Sequence, residues 1–451
     1  MAGRLFGTDG VRGVANGDAL SPEVALALGR ASALYARERG ADRPVIVVGR
    51  DTRRSGPMLE DALCAGIASA GGLALRAGVL PTPGVAWLVR DQGANLGVVI
   101  SASHNPFPDN GIKLFGADGF KLGDEDEDRV EALMSDESAR PTGPGVGESR
   151  RLAGAAAQYA SWAAGGGGTP IEVPSLRVLV DCAHGAAVTV APLVFAELGI
   201  EHDIAAAEPD GVNINDGVGS THLDALATGV RAGGFDLGLA FDGDADRMLA
   251  VDAAGTVVDG DQIIALLARD LQIAGRLAGD KVVVTSMSNL GFHRAMHDLG
   301  IETVVTDVGD RYVLAGMLEH GAVLGGEQSG HVIALDRQTT GDGLITAVLL
   351  LDALARHHEP LAEAATIVRR FPQVLINVRA DRHRLADCSA VWEAVGRESA
   401  PLAATGSGRI VLRSSGTEPL VRVMVEHEDE QELHRIANAL ASEVERELGI
   451  A

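Results

Sequence analysis

The sequence predicts an α/β protein with three related domains built on mixed sheets, followed by a smaller C-terminal α+β domain. Three short apolar runs lack the polar alternation of half-exposed strands, which is typical of buried parallel strands. These runs are VIVV at 45–48, VLVD at 178–181 and VVVT at 282–285. A polar turn, a helix-like segment and a glycine-marked second strand follow each run. A further apolar segment closes each unit: LGVVI at 96–100, DLGLAF at 236–241 and AVLG at 322–325. Three copies of this pattern indicate three related domains.

The pattern changes after Pro372. Two strand-like segments, QVLINVRA and RIVLRSSGTEPLVRVMVE, precede a helix with apolar residues at helical spacing, namely Leu433, Ile436, Ala437, Leu440 and Val444. This predicts the smaller fourth domain. We expect domains at 1–150, 151–252, 253–370 and 371–451.

Composition limits the partners. The chain has 451 residues, of which 46% are hydrophobic and 22% are charged, as in ordinary globular proteins. Its net charge of −24 argues against nucleic acid or an anionic membrane as a partner, so an anionic substrate would need a local basic pocket.

Cysteine usage and hydropathy bear on location. Cys64, Cys182 and Cys388 are far apart in sequence and lack metal-ligand spacing, which predicts reduced core cysteines. No apolar run reaches the length of about 18 residues that is typical of a membrane span. We therefore expect a soluble cytoplasmic protein.

Unusual polar loops follow the third strand of each unit. They read SASHNP at 101–106, DGDADR at 242–247 and GGEQSGH at 325–331. Ligands in open α/β sheets bind outside the carboxyl ends of strands. The loops therefore predict one active site where the domains converge.

The DGDADR loop carries three alternate aspartates, Asp242, Asp244 and Asp246. In an extended chain their Cα atoms would lie about 6.6 Å apart, so the loop must curl to bind Mg²⁺, which Gly243 and Ala245 permit. A calcium EF-hand is excluded because Arg247 and Ala253 occupy the positions that need Gly and Glu. An acidic solvated turn remains the alternative.

The SASHNP loop offers two hydroxyl groups, Ser101 and Ser103, beside an imidazole and an amide, which suits a nucleophile or a phosphoacceptor. A turn capped by Ser and Asn is the alternative. A serine facing three aspartates makes sense as a phosphoserine whose oxygens complete the coordination of a metal. Lys113 and His331 are candidate proton-transfer groups, although a surface lysine and a hydrogen-bonded histidine are the commoner situations.

The segment RSSGTEPLVR forms a cationic island between Arg413 and Arg422. Hydroxyl groups, a glycine and two guanidinium groups suit a phosphate cradle, and a glycine-rich hairpin with incidental arginines is the alternative. The acidic run Asp124–Asp128 is interpreted as a solvated face.

Seven ordered motifs give the chain a resemblance to the α-D-phosphohexomutases, and within them to the bacterial members that act on glucosamine phosphates. The motifs are FGTDGVRG at 6–13, ISASHNPFPDNGIK at 100–113, NINDGVGSTH at 213–222, FDGDADR at 241–247, VGDRYV at 308–313, GGEQSGH at 325–331 and RSSGTEPLVRV at 413–423. Ser101 and the EQSGH form of the sugar loop favour the glucosamine members, since relatives usually have Thr and often EMSGH there. Pro108 departs from the family, in which an aromatic residue is frequent, and this bears on local loop shape.

The resemblance implies a role for each loop. Ser103 would be the phosphoserine and, with Asp242, Asp244 and Asp246, would bind one Mg²⁺. His104, Lys113, Arg247 and His331 would assist catalysis, Arg12 would line the site, and Glu327 and Ser329 would contact sugar hydroxyls. The phosphate would be held by Arg413, Ser414, Ser415, Gly416, Thr417 and Arg422.

The activity implied is that of an isomerase. It would interconvert glucosamine 6-phosphate and glucosamine 1-phosphate through glucosamine 1,6-bisphosphate, for UDP-N-acetylglucosamine and cell-wall synthesis. The partner would be a small phosphosugar, with homodimerisation left open. Mannose or glucose phosphates remain alternative substrates. A non-catalytic sugar-phosphate sensor is a further alternative, but such a sensor has no need for a phosphoacceptor opposite a metal site.

Overall fold

A computed structural model describes residues 4–7, 9–136, 140–168, 171–173, 175–415 and 419–450. The N-terminal part contains strands β1 (Val11–Val14), β2 (Val45–Arg50), β3 (Leu73–Val79), β4 (Leu96–Ile100), β5 (Asp109–Gly116) and β6 (Glu148–Arg151). Its helices are α1 (Pro22–Glu38), α2 (Gly56–Ser69), α3 (Thr82–Asp91), α4 (Asp124–Met134) and α5 (Ala155–Ala164). The strands form one sheet in the order β1-β5-β4-β2-β3-β6.

The second part is smaller. It contains β7 (Arg177–Asp181), β8 (Glu201–Ala205), β9 (Leu237–Phe241), β10 (Met248–Asp252) and β11 (Val257–Val258), with helices α6 (Ala191–Glu197) and α7 (Asp224–Gly233). The strand order is β11-β10-β9-β7-β8.

The third part has strands β12 (Lys281–Thr285), β13 (Glu302–Thr306), β14 (Leu324–Gly326) and β15 (Val332–Ala334) in the order β13-β12-β14-β15. Its helices are α8 (Gly260–Ile273), α9 (Leu290–Asp298), α10 (Asp310–His320), α11 (Gly343–His357) and α12 (Leu361–Ala364).

These three sheets share one four-stranded pattern. In each, the first apolar strand is parallel to both the second and the third, and an antiparallel strand returns beside the third. The first strands β2, β7 and β12 and the third strand β4 cover the predicted runs, whereas β9 begins one residue after the start of its run and β14 overlaps its run only at residues 324–325. Their apolar residues are buried because helices cover the sheets.

The last part comprises β16 (Gln373–Arg379), β17 (Gly408–Ser414), β18 (Leu420–His427), α13 (Ser389–Thr405) and α14 (Glu430–Leu448). Its antiparallel sheet has the order β16-β18-β17. The apolar residues predicted for its final helix are all buried on α14. The predicted fold class is confirmed in all four parts.

The expected domain boundaries stay predictions. Strand β6 extends across the position expected to end the first domain, because Arg151 pairs with Arg76 of β3. The apolar cores show a further division: one continuous core runs from Val47 to Val368 through the first three parts, whereas the fourth part has its own core.

Two smaller expectations change with the structure. The acidic run at 124–128 is not simply a solvated face, because the Glu127 side chain is buried with Arg4 and Arg311 at 3.3 and 3.8 Å. Burial raises the pKa of Glu127 to about 7. The cysteines are free thiols, and Cys388 is only half-buried.

None of the helices in the described ranges combines the length and apolar character needed to cross a bilayer.

Candidate active site

The three polar loops follow equivalent strands. SASHNP comes directly after β4, DGDADR after β9 and the EQSGH segment after β14, each at the carboxyl end of its strand. The first two loops are in direct contact. A Cβ atom on Gly243 would lie 2.5 Å from the carbonyl oxygen of Ser103, so only a glycine permits this approach.

Ser103 faces the metal loop. Its side chain is buried, and its hydroxyl donates to Oδ2 of Asp242 at 2.6 Å. The backbone has a left-handed φ of +52°, which is uncommon for a residue other than glycine. Ser101 shapes this turn, since its hydroxyl accepts the backbone N–H of Ser103 at 3.0 Å.

The three aspartates form a buried cluster. One carboxylate oxygen from each lies within 4.8 Å of the others, as a shared cation requires. The loop curls as predicted, with Ala245 at a left-handed φ of +54°. Within the described part of the chain, Oδ1 of Asp244 and Oδ1 of Asp246 are buried and have no hydrogen-bond partner. Buried oxygens left in this way fit a metal ion.

Neighbouring charges shift the pKa values of the clustered aspartates in different directions. Burial raises the pKa of Asp242 well above its usual range, and the charges of Asp246 and Asp244 add to this effect. Burial acts in the same direction on Asp246, but Lys113 and His331 outweigh it and hold the pKa of Asp246 well below its usual range. A bound cation would relieve the repulsion around Asp242.

Lys113 is a buried cation of the site. Its Nζ lies 3.0 Å from Oδ2 of Asp244, 3.6 Å from Asp246 and 3.3 Å from Asp9. Burial lowers the pKa of Lys113, but these carboxylates, Asp244 foremost, more than offset burial and raise it above its ordinary value. Lys113 therefore serves better as a fixed positive charge than as a proton acceptor.

The pKa values of the two histidines shift in opposite directions. His104 Nδ1 lies 3.3 Å from the Ser103 hydroxyl, and burial, helped by Arg247 and Arg12, lowers the pKa of His104 to about 4. Burial also acts to lower the pKa of His331, but Asp246 outweighs it and raises that pKa. Its Nδ1 lies 3.7 Å from Asp246. His104 is thus neutral near pH 7.

Two arginines line the same region. Arg247 follows the triad, with Nε 3.9 Å from Oδ1 of Asp246. Arg12 pairs with Asp9. Both guanidinium groups are partly buried, so they add positive charge where an anion could bind.

Glu327 of the EQSGH loop carries a negative charge near two arginines of the site. Glu327 accepts the backbone N–H of Gly309 at 3.1 Å and lies 3.5 Å from the Ser329 hydroxyl. Its charge acts on both Arg247 and Arg413. Glu327 therefore connects the two cationic regions.

Arg413 and Arg422 are directly opposite each other on β17 and β18. Burial lowers the pKa of Arg413, and the charge of Arg422 lowers it further. Like charges opposed across strands are destabilising, so this pair suits the binding of an anion. Ser414 ends β17 and Ser415 follows it, whereas Gly416 and Thr417 lie outside the described residues.

Sequence reasoning missed three contacts of the site. Asp9 holds Lys113, Thr82 donates its hydroxyl to Oδ2 of Asp244 at 2.6 Å, and Asn215 donates its amide to the Ser103 carbonyl at 2.9 Å. Asp9 and Asn215 lie in the motifs FGTDGVRG and NINDGVGSTH, where they could have been found. Thr82 stands in an unremarkable helix start, and no pattern marks it.

Comparisons with known proteins cover the whole chain. Models of the phosphoglucomutase/phosphomannomutase family match in order, with alpha/beta/alpha domain I at residues 3–141, domain II at 166–255, domain III at 259–371 and the C-terminal domain at 375–443. A phosphoglucosamine mutase of Symbiobacterium thermophilum is 52% identical over 449 residues, covering 99% of both chains. One from Saccharopolyspora erythraea is 53% identical over 440 residues, covering 97% of this chain and 98% of that relative.

Solved structures share the fold. A phosphoglucomutase/phosphomannomutase family protein of Burkholderia thailandensis is 25% identical with a TM-score of 0.81, and 99% of each chain is covered. The Aspergillus fumigatus N-acetylphosphoglucosamine mutase, solved with GlcNAc-6P and magnesium, is 16% identical with a TM-score of 0.66 and covers 98% of this chain and 95% of its own.

The four matched domains and the full-length relatives define the class of the protein, an enzyme that transfers a phosphoryl group and is classed as an isomerase. The chain belongs to the phosphoglucomutase/phosphomannomutase family, within the phosphohexomutase superfamily.

Proposed function

We propose that this enzyme interconverts glucosamine 6-phosphate and glucosamine 1-phosphate through a phosphorylated Ser103. The observation that carries the proposal is the buried Ser103 hydroxyl, 2.6 Å from Asp242 Oδ2, in a carboxylate triad that has two buried oxygens without a hydrogen-bond partner among the described residues. The choice of sugar is supported by relatives about half identical over nearly the full chain that are named phosphoglucosamine mutases.

The reaction has two symmetrical transfers. A free sugar hydroxyl attacks the phosphorus of phosphoserine 103, the bond between phosphorus and Ser103 Oγ breaks, and glucosamine 1,6-bisphosphate forms. After the intermediate turns, Ser103 Oγ attacks its other phosphate and releases the isomeric monophosphate. In the first transfer the proton lost by the sugar hydroxyl replaces the phosphoryl group on Ser103 Oγ. Neutral His104, with Nδ1 3.3 Å from Ser103 Oγ, is our candidate for accepting the proton that the Ser103 hydroxyl loses when Oγ attacks in the second transfer.

Asp242, Asp244 and Asp246, with the phosphate on Ser103, would hold Mg²⁺, which when bound offsets negative charge on the group in transfer. Lys113 and Arg247 contribute fixed positive charge beside the triad. These residues act on the transferring group in both directions, because the same serine serves both steps.

The remaining loops recognise the substrate. Glu327 and Ser329 would accept and donate hydrogen bonds to sugar hydroxyls. Arg413, Ser414, Ser415 and Arg422 would hold the phosphate that is not in transfer, and the prediction for Gly416 and Thr417 stands alongside them. Arg12 would line the space between these two regions. The substrate is then a small phosphosugar, and cytoplasmic synthesis of cell-wall precursors is the expected setting.

A coupled assay tests the activity. Glucosamine 6-phosphate with a trace of the 1,6-bisphosphate should be turned over, whereas Ser103→Ala should lose nearly all turnover while keeping its unfolding midpoint. Peptide mapping of the wild-type protein should place the phosphate on Ser103. Phosphate found on Ser101 alone would contradict the assignment of Ser103 as the phosphoacceptor. Ser101→Ala is the variant matched to Ser103→Ala at the other serine of the loop.

Glucose and mannose phosphates serve as comparison substrates in the same assay. Efficiency on glucose 6-phosphate equal to that on glucosamine 6-phosphate would overturn the choice of substrate. It would leave the phosphoserine chemistry intact.

A further inference from the structure

A fully buried guanidinium group lies under the serine loop. Arg53, in the polar turn after β2, donates from Nη2 to the carbonyls of Ser103 at 2.9 Å and Asn105 at 2.7 Å. Its Nη1 donates to the carbonyls of Pro106 at 2.5 Å and Asp109 at 3.0 Å. An arginine has five N–H donors, and four contacts of this one go to backbone carbonyls between residue 103 and the first residue of β5.

The fifth contact leads back to the same serine. Arg53 Nε donates to Oδ2 of Asp51 at 2.8 Å, and Asp51 is also fully buried. That Oδ2 atom accepts the hydroxyl of Ser101 at 2.7 Å. The Ser101 oxygen in turn accepts the backbone N–H of Ser103 at 3.0 Å.

Both backbone groups of Ser103 are therefore fixed from the Arg53–Asp51 pair. The N–H is held through Ser101, and the C=O accepts directly from Arg53, as it does from Asn215. This matters because Ser103 has the left-handed φ of +52°, which an L-residue adopts only where its surroundings impose it. The same conformation directs Oγ to Asp242 at 2.6 Å.

We propose that Arg53 and Asp51 are positioning residues for phosphoryl transfer, which hold the Ser103 backbone so that Oγ faces the carboxylate triad. Neither residue contacts the substrate. The inference rests on the proposed function in one respect, namely that Ser103 carries the phosphoryl group. A lysine cannot replace Arg53, because its single ammonium group lacks the planar fork that spans four carbonyls.

A second buried carboxylate of the same domain, Glu60, pairs with arginines on strands β2 and β3 outside the serine loop. Arg76 on β3 pairs with Glu60 of α2 at 3.1 Å, and Glu60 is buried. Arg76 also pairs with Asp61 of the same helix at 2.5 Å. Arg76→Lys is therefore a matched control for a change in ion-pair geometry without a change at the serine loop.

The experiment uses the full-length phosphorylated enzyme and compares Arg53→Lys with Arg76→Lys. Arg53→Lys should lower kcat about a hundredfold with KM unchanged within about twofold, because a small displacement of a reacting group costs rate and not substrate binding. Hydrogen exchange of a peptide spanning 101–110 should accelerate in Arg53→Lys alone. Arg76→Lys should keep wild-type kcat and wild-type exchange in this peptide.

Ser101→Ala provides a second variant that leaves no charge unpaired and does not depend on Arg53→Lys folding. It removes the link between Asp51 and the N–H of Ser103, and it should lower kcat about tenfold with faster exchange at 101–110. The control is Ser32→Ala, an equally buried serine whose hydroxyl donates to the Leu28 carbonyl at 2.8 Å.

Either folded variant with wild-type kcat and wild-type exchange at 101–110 would overturn the proposal, as would faster exchange throughout the domain with no excess in this loop. Peptide mapping of wild-type enzyme separates the proposed function from the positioning role of Arg53 and Asp51. If no phosphate is found on Ser103, the proposed function fails, and the exchange measurement still decides whether Arg53 and Asp51 hold the loop.

Discussion

At the residue scale, the metal site depends on how each carboxylate divides its two oxygens. Oδ2 of Asp244 is held by Thr82 at 2.6 Å and by Lys113 at 3.0 Å, which leaves its Oδ1 without a hydrogen-bond partner in the described chain. The donors thus fix the orientation of the carboxylate and leave one oxygen for a cation. Thr82 also donates its backbone N–H to the Asp244 carbonyl at 2.9 Å.

Thr82→Val should therefore weaken Mg²⁺ binding about tenfold, since loss of a group that orients a metal ligand typically costs 10- to 100-fold in affinity. Thr82→Ser keeps the hydroxyl and should bind Mg²⁺ like the wild type. Calorimetric titration of the dephosphorylated enzyme with Mg²⁺ measures the difference. Equal affinities for the valine and serine variants would contradict this role.

At the element scale, the N-terminus of α11 in the third part contacts both the metal loop of the second part and helix α5. Gly343 donates its N–H to the Ala245 carbonyl at 3.0 Å, and Asp342 caps the helix through the N–H of Ile345 at 3.0 Å. The hydroxyl of Tyr159 on α5 donates to Asp342 at 2.8 Å. Burial raises the pKa of Asp342 to about 6, and these donors oppose the rise.

Tyr159→Phe should destabilise the protein by about 1 to 3 kcal/mol at pH 8 and by less at pH 5.5, because the lost donor stabilises the ionised carboxylate. Since the folded pKa of Asp342 lies above its unfolded value, stability is lost as pH rises through about 6, and the variant should lose more. Unfolding midpoints in urea at both pH values measure this. Tyr312→Phe, which alters an exposed tyrosine, should match the wild type, and an effect of Tyr159→Phe equal at both pH values would exclude the link to ionisation.

Sequence reasoning predicted the strands that are buried on both faces, because their side chains are apolar throughout. LGVVI at 96–100 is the whole of β4, because a strand buried on both faces must be apolar throughout. The returning strand β5 was missed, since its sequence DNGIKLFG has a buried Asn110 and a buried Lys113. Their burial depends on Asp244 and other partners distant in sequence, which hydrophobic periodicity does not register.

The site residues likewise divide into those that the sequence marks as unusual and those that it does not. The aspartate triad and Ser103 stood out because three carboxylates in one short loop, and a serine in a loop equivalent to it, are chemically unusual. Arg53 did not stand out, because an arginine in a polar turn is ordinarily exposed. Its carbonyl partners come from a loop about fifty residues further along the chain, and only the folded structure brings them together.

At the scale of the whole molecule, an acidic protein carries opposed positive charges on the sheet of its fourth domain. The net charge is −24, yet Arg413 and Arg422 lie face to face on adjacent strands. This arrangement favours an anionic group between them. Because the bisphosphate must present each end in turn to one serine, the same pair would hold the opposite phosphate in both orientations.

Arg422→Ala should then lower catalytic efficiency by a comparable factor in both directions, about 10- to 100-fold, as expected for the loss of a hydrogen bond to a charged group. Phosphate occupancy of Ser103 should be unchanged. Arg435→Ala, at an exposed arginine of the same domain, is the control and should leave catalytic efficiency unchanged in both directions. A defect confined to one direction would contradict a clamp shared by both orientations.

The continuous core of the first three parts bears on how the chain folds during synthesis. Each sheet is built from a contiguous stretch, so each can form soon after its own residues leave the ribosome. The aromatic cluster of Trp87, Tyr159 and Trp162 joins α3 to α5 early, but Asp342, the partner of Tyr159, is made some 180 residues later. A nascent chain stopped before α11 therefore presents apolar surface on α5 and the second sheet, and we expect that interval to be when the protein depends most on chaperones.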